Sequence, residues 1–235
     1  MVAPEYRLIR SSRKTIALYI TPRGLEVRAP RAMPISAIDR FVQSKRAWIE
    51  KHRANLCSET DATAEFGLGY GDAIPFRGKA CPIVGSPKMR TTRPGYMKGE
   101  YADGAFLITE GLQPSEIGFI LSRVLKREAE GYIPARVRHY AERMRLSPDS
   151  VRITSALGRW GSCSAQRRLN FAWMLMMADD AAIDSVVVHE LAHMIHPDHS
   201  AAFHRKVREY CPDYDRQHAK LEALGLKIRR EGWRR

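Results

Sequence analysis

The residues best equipped for chemistry lie together in the run Ser185-Val-Val-Val-His189-Glu190-Leu-Ala-His193-Met-Ile-His196-Pro197-Asp-His199-Ser200. His189 and His193 are four positions apart. On a helix that spacing sends both imidazoles off one face, about one turn apart, so two ring nitrogens can share one zinc ion at about 2.0–2.1 Å each. Glu190 sits one position further round, near enough to reach a water beside the metal without ligating it. A carboxylate placed there takes the water's proton as it attacks, which is general-base work.

A catalytic zinc ordinarily has three protein ligands and one open position. His196 continues the i, i+4, i+7 stripe, but seven helical residues rise about 10.5 Å, too far for ligands of one ion. Pro197 disfavours a helical conformation at His196 and tends to end the helix there. The chain can then turn and swing His199 back. The expected set is therefore His189, His193 and His199 around one Zn²⁺, with Glu190 as the catalytic residue. Two blander readings remain open: a histidine-rich surface helix, and a structural zinc closed by a fourth ligand such as Cys211. A structural site has no use for Glu190.

Upstream stand Arg159-Trp160-Gly161-Ser162-Cys163-Ser164 and Leu169-Asn170-Phe171-Ala172-Trp173-Met174-Leu175. Downstream of the histidines comes His199-Ser200 followed by Phe203. In this order the blocks resemble the YgjP-like metal-dependent hydrolases, relatives of the SprT-like and WLM zinc proteases, and the likeness extends over nearly the whole chain. Carried over position by position, it makes His189, His193 and His199 the ligands and Glu190 the base. His204 stands where relatives commonly carry Trp, and Pro197-Asp198 precedes His199 where relatives often show Asn. The resemblance implies a metallopeptidase acting on peptides or proteins. It also brings a second expectation, a nucleoside triphosphate pyrophosphatase of the UTP type, with Arg159, Arg167 and Arg168 as phosphate-binding candidates. A third reading is a non-catalytic zinc module that binds nucleic acid.

The whole chain bounds these readings. At 235 residues, 44% hydrophobic and 28% charged, it has the composition of a globular protein with a sizeable core. The apolar run from Phe171 to Ala178 is too short to span a bilayer, and no signal-peptide pattern opens the sequence, so no membrane partner is expected. Four cysteines without C-x-x-C spacing suit reduced thiols and a cytoplasmic location. The net charge of +13 sits at the two ends: residues 1–60 carry 12 basic and 5 acidic side chains, and residues 201–235 carry 10 and 5. Such ends can contact nucleic acid or simply keep a surface solvated.

The elements that must position the site follow from periodicity. Residues 6–29 read as two strands joined by Thr21-Pro22-Arg23-Gly24. Ser36 reads as the N-cap of a helix that carries Trp48 and His52 and ends near Leu56. The glycine- and proline-rich stretch 58–113 reads as short strands and turns, with Ala80–Val84 and Ala105–Ile108 in one small sheet with the first hairpin. Pro114 opens a long helical pattern with a kink or break expected near Tyr132, between Gly131 and Pro134. Residues 151–158 and 169–175 alternate as paired strands joined through the Arg159–Ser164 loop. If that sheet edge lies beside the active-site helix, it can hold an extended peptide by strand addition. Arg159, Trp160, Ser162 and Asn170 are then the substrate-binding candidates. Asp179, Asp180 or Asp184 can cap the active-site helix. The expected architecture is α+β: a small N-terminal β-rich subdomain with one helix (1–112), then a zincin-like hydrolase half (113–235) with its active-site helix beside a β-sheet.

Overall fold

The computed structural model describes residues 5–12, 15–21, 24–47, 49–50, 67–91, 96–231 and 233. It divides the chain into two units, Met1–Phe66 and Gly67–Arg235. In the first, β1 (Tyr6–Ser11), β2 (Ala17–Thr21) and β3 (Gly24–Pro30) lie in the order β1-β3-β2. The central strand pairs parallel with β1 and antiparallel with β2. Residues 6–29 thus hold three strands where the sequence suggested two. Leu25, Val27 and Ala29 alternate onto one face of β3 and bury against Ile38 and Val42 of α1 (Ile35–Ser44), which are one helical turn apart. That helix is preceded by Pro34, not capped by Ser36. The centre of the Thr21–Gly24 turn, Trp48, His52 and the expected helix end near Leu56 lie outside the described residues.

The second unit contains a four-stranded sheet of β4 (Ala73–Phe76), β5 (Lys79–Gly85), β6 (Gly99–Ala102) and β7 (Ala105–Ile108), ordered β4-β5-β7-β6. Two-residue loops close both of its hairpins. Arg77-Gly78 has φ of 47° and 80°, and Asp103-Gly104 has 51° and 80°, the paired positive φ that tight hairpins require. Residues 80–84 and 105–108 are strands as expected, but in this separate sheet and not with the first hairpin. Ile74, Phe76, Ile83, Phe106 and Ile108 share one core with the helices that follow. The division expected at 112/113 therefore runs through neighbouring elements of a single core, while the two units separate after Phe66.

The long α2 (Pro114–Met144) runs 31 residues without the expected break. Gln113 and Glu116 form a reciprocal capping box at its start, satisfying two otherwise free N–H groups. Pro134 withholds one hydrogen bond from the carbonyl of Glu130, an exposed residue that water can serve. Ile133 and Val137 stay buried on either side of it, so packing carries the helix through.

The third sheet comprises β8 (Ser150–Thr154), β9 (Gly161–Cys163) and β10 (Arg168–Ala172), ordered β8-β10-β9. β8 and β10 pair parallel, so they are not the simple hairpin the alternation suggested, and the supposed loop between them contains the edge strand β9, antiparallel to β10. After Ala172 the chain forms a 3-10 turn (Trp173–Met177) whose five side chains are all buried. Then come α3 (Asp180–Ala192), α4 (Ala201–Tyr210) and α5 (Tyr214–Arg230). Among the described residues the fold is α+β, and no helix is long and apolar enough to cross a membrane.

Candidate active site

Apolar side chains surround α3 nearly all the way round. Ala182, Ile183, Val186, Val187, Val188, Leu191 and Ala192 are all buried, the pattern of a helix inside a core and not on a surface. Its N-terminal end is held by charge. Asp179 caps the helix by accepting from the Ala182 N–H at 2.8 Å and is paired with Lys220 of α5 at 2.7 Å. Asp180 takes a two-point bond from Arg77 of the β4–β5 turn, both distances 2.8 Å. Asp184 takes another from Arg136 of α2, both 2.7 Å. Three elements distant in sequence thus fix where α3 starts and points.

At the other end α3 stops at Ala192, with His193 as C-cap. The Met194, Ile195 and His196 N–H groups then bond back to Leu191 and Ala192, tightening the last turn before Pro197. The chain reverses, and Ser200 caps α4 by accepting from the Phe203 N–H at 3.4 Å. This reversal returns His199 to the face of α3 that carries His189 and His193.

The three imidazoles converge through their Nε2 atoms. His193 Nε2 is 3.2 Å from His189 Nε2, and His199 Nε2 is 3.3 Å from it; the potential ligand atoms all fall within 4.8 Å of one another. Ligands held tetrahedrally at about 2.0–2.1 Å lie about 3.3–3.4 Å apart, so the spacing suits one small ion. The opposite ring nitrogens are engaged in the way metal-binding histidines require. His193 Nδ1 lies 3.2 Å from the His196 carbonyl, to which it donates, leaving Nε2 as an electron-pair donor. His189 Nδ1 lies 2.7 Å from the hydroxyl of buried Tyr214. His196 thus contributes its carbonyl and not its ring. Fully buried Phe203 backs the trio, its ring centroid 4.9, 4.5 and 4.9 Å from those of His189, His193 and His199. His199 is exposed, so the cluster opens to solvent on that side. Burial and the neighbouring His193 and His199 lower the His189 pKa to about 3, which keeps its ring neutral, as a ligand must be. Cys211 is not part of the cluster, whose ligand-type groups among the described residues are the three histidines alone.

Glu190 is buried, only 5% exposed, yet no described residue donates a hydrogen bond to its carboxylate. Burial pushes its pKa up to about 7, with the Arg159 charge pulling the other way. The edge strand β9 passes directly over it. A methyl group added at Gly161 would stand 2.6 Å from Glu190 Oε1 and 2.7 Å from its Cγ, so glycine is what lets the strand and the carboxylate approach. Here the need is for space and not for an unusual backbone angle.

A pocket of about 200 Å³ lies over this point. It is lined by Arg159, Trp160 and Gly161, by His189 and Glu190 of α3, and by Tyr214, His218 and Leu221 of α5. Of the expected substrate-binding residues, Arg159 and Trp160 therefore line the same pocket as Glu190 and His189. Ser162 and Asn170 lie one step away, paired across β9–β10 with Asn170 Nδ2 donating to Ser162 Oγ at 3.3 Å, and they line an adjoining cavity that also touches Arg159 and Trp160. Arg167 and Arg168 do not line the pocket. Arg167 occupies the β9–β10 turn with φ of 56°, and Arg168 is paired with Asp149 at 3.1 Å. Tyr214 and His218 also line the pocket. In the sequence Tyr214 reads as core or cap before a donor to a reaction oxyanion, and His218 as inert, because neither spacing from the histidines carries a local signal.

A buried helix thus carries convergent histidines that could hold one metal ion, and a short sheet edge lies across the carboxylate next to them. The chain belongs to the YgjP-like family: the model of its metallopeptidase domain matches residues 14–224. No curated protein matches the chain. Among solved structures, the crystal structure of the metallopeptidase zymogen abylysin of Pyrococcus abyssi is similar over 38% of this chain and 95% of that one, at 20% identity and a TM-score of 0.34.

Proposed function

We propose that this protein is a zinc-dependent peptidase in which His189, His193 and His199 hold one ion and Glu190 is the general base. The observation that carries the reading is Glu190 itself. A carboxylate of near-neutral pKa, lining a cleft beside His189 with no described residue donating to it, suits general-base work, and a purely structural metal site gains nothing from it. Zinc in the three-histidine site would supply a Lewis acid for the scissile carbonyl and a lowered pKa for water. Glu190 lies beside that position, in a cleft where burial holds its pKa near neutrality, so it can accept a proton from the attacking water and return it to the departing amine. Tyr214 orients His189 through Nδ1, and the His196 carbonyl orients His193. The outer edge of β9, unpaired among the described strands, offers backbone groups to an extended peptide. Arg159 supplies positive charge at the pocket wall.

A pyrophosphatase would want several cations around the phosphates, and of its three candidate arginines only Arg159 borders the pocket. The peptidase reading is therefore the stronger. The test uses zinc-loaded protein and Glu190→Gln on casein-derived peptides and on the four ribonucleoside triphosphates. Peptide cleavage that disappears in the variant is the expected result; Glu190-dependent pyrophosphate release without peptide cleavage would replace this reading with the other.

A further inference from the structure

Next to the catalytic pocket lies a larger groove of about 380 Å³, between residues 156–160 and the outer half of α5, a volume within the usual range of ligand sites. Arg159, Trp160 and Leu221 line both cavities, so the groove continues the pocket over Glu190. Its walls are largely apolar, built from Leu157, Trp160, Met174, Leu226 and Ile228. Leu157 and Leu226 are 51% and 49% exposed, which leaves apolar surface free to receive an apolar side chain. Gly225 forms the floor: a methyl group built there would meet Trp160 Cζ2 and Arg229 Nη1, both at 3.5 Å. The guanidinium of Arg229 and the indole of Trp160 thus approach the same spot. Arg159 and Arg229 against Glu222 leave the lining with one net positive charge, and no ion pair among the described residues occupies any of the three.

The geometry points to this groove as a substrate subsite that selects a large apolar side chain with a carboxylate beside it, in the part of the peptide that runs past Trp160 from the scissile bond. The assignment rests on the peptidase reading and adds the substrate class to it. Apolar walls reward burial of a Leu- or Phe-sized side chain, and the two arginines reward an acidic neighbour or chain-terminal carboxylate through charge-assisted bonds. Lysine at that neighbouring position is disfavoured by the same charges.

The test profiles cleavage of a randomised peptide pool by the zinc-loaded protein, Gly225→Leu and Arg229→Glu, and measures anisotropy of a labelled apolar-acidic peptide on Glu190→Gln protein. Gly225→Leu fills the groove from its floor, touches no histidine, and raises helix propensity in α5. The expected wild-type profile shows one position enriched in large apolar residues with Asp or Glu adjacent. Gly225→Leu should lower kcat/KM on such peptides about tenfold or more while cleavage of a peptide with Ala at that position is retained. Arg229→Glu should shift the neighbouring preference from acidic towards basic. Glu190-dependent cleavage with identical profiles in all three proteins would overturn the subsite and leave the peptidase reading standing. No cleavage, but peptide binding that Gly225→Leu abolishes, would keep the groove as a binding site and overturn the peptidase reading. Neither cleavage nor binding would overturn both.

Discussion

The two ends of α3 treat charge in opposite ways. At its start, Asp179, Asp180 and Asp184 each meet a cation from a different element, Lys220, Arg77 and Arg136, at 2.7–2.8 Å. Near its end, Glu190 is as buried as the apolar core around it and meets no donor. One end uses ion pairs to fix position; the other keeps a carboxylate in the lining of a cleft with no described residue donating to it. The helix is therefore clamped at one end while the proposed base sits near the other. Perturbing the two ends should separate stability from activity.

The largest effect is expected from Glu190→Gln, which removes the proton acceptor and keeps the shape. Peptidase kcat/KM should fall about 10³-fold or more, while zinc content and urea midpoint stay close to wild type, since the side chain keeps its size and no hydrogen bond from a described residue to the carboxylate is lost. Retained activity would mean that Glu190 is not the base.

Gly161→Ala tests the same end from the strand side. Its methyl group cannot coexist with Glu190 at 2.6 Å, so strand or carboxylate must shift. A displacement of order 1 Å costs about 10²-fold in rate, and His189, His193 and His199 should still bind zinc. Gly161→Ala with wild-type turnover would show that β9 does not set the position of the carboxylate.

The clamped end should respond in stability instead. Arg136→Met leaves Asp184 with Tyr140 as its remaining side-chain partner. The Arg136 and Asp184 side chains are 27% and 17% exposed, so the loss is smaller than for a fully buried pair, about 2 kcal/mol in urea unfolding. Turnover per folded molecule should stay within a few fold of wild type. Between these extremes, Tyr214→Phe removes the partner of His189 Nδ1 and should weaken zinc binding about tenfold, read by competition with a chelator, with little change in urea midpoint.

This division also marks what could be read in the amino-acid order. The His189–His193 pair, Glu190 and the Pro197 reversal are local, so four- and six-residue spacings are enough to expose them. The clamp is invisible at that level, because Arg77 and Asp180 are 103 positions apart and surface arginines have no periodicity. Gly-Ser-Cys is too short to show the alternation of a strand, so β9 reads as a loop. Parallel pairing of β8 with β10 depends on where the intervening chain goes, which residue types do not reveal. Pro134 and Gly131 do signal a break in α2, and that signal is overridden because the buried stripe from Ile117 to Met144 continues through them. Tyr214 becomes informative only once α5 is packed against α3.

The smallest effect is a pH dependence at the clamped end, and its sign follows from Asp180. The hydrogen bond from Arg77 holds the Asp180 carboxyl below its ordinary value. A carboxyl lowered in the folded state contributes stability that is fully present above its unfolded value, about 3.9, and is lost as pH falls through the folded one. Wild type and Arg77→Met should therefore differ most in urea midpoint at pH 6, and the gap should narrow on acidification below about pH 4. Some gap should survive in acid, because the Arg77 guanidinium also lies 3.8 Å from the centre of the Tyr132 ring, a contact that does not need Asp180 ionised. Histidines and the other carboxylates titrate in both proteins and cancel in the difference. A gap that stays constant from pH 6 to pH 3 would assign the whole contribution of Arg77 to Tyr132, leaving Lys220 and Arg136 as the ionic anchors of α3.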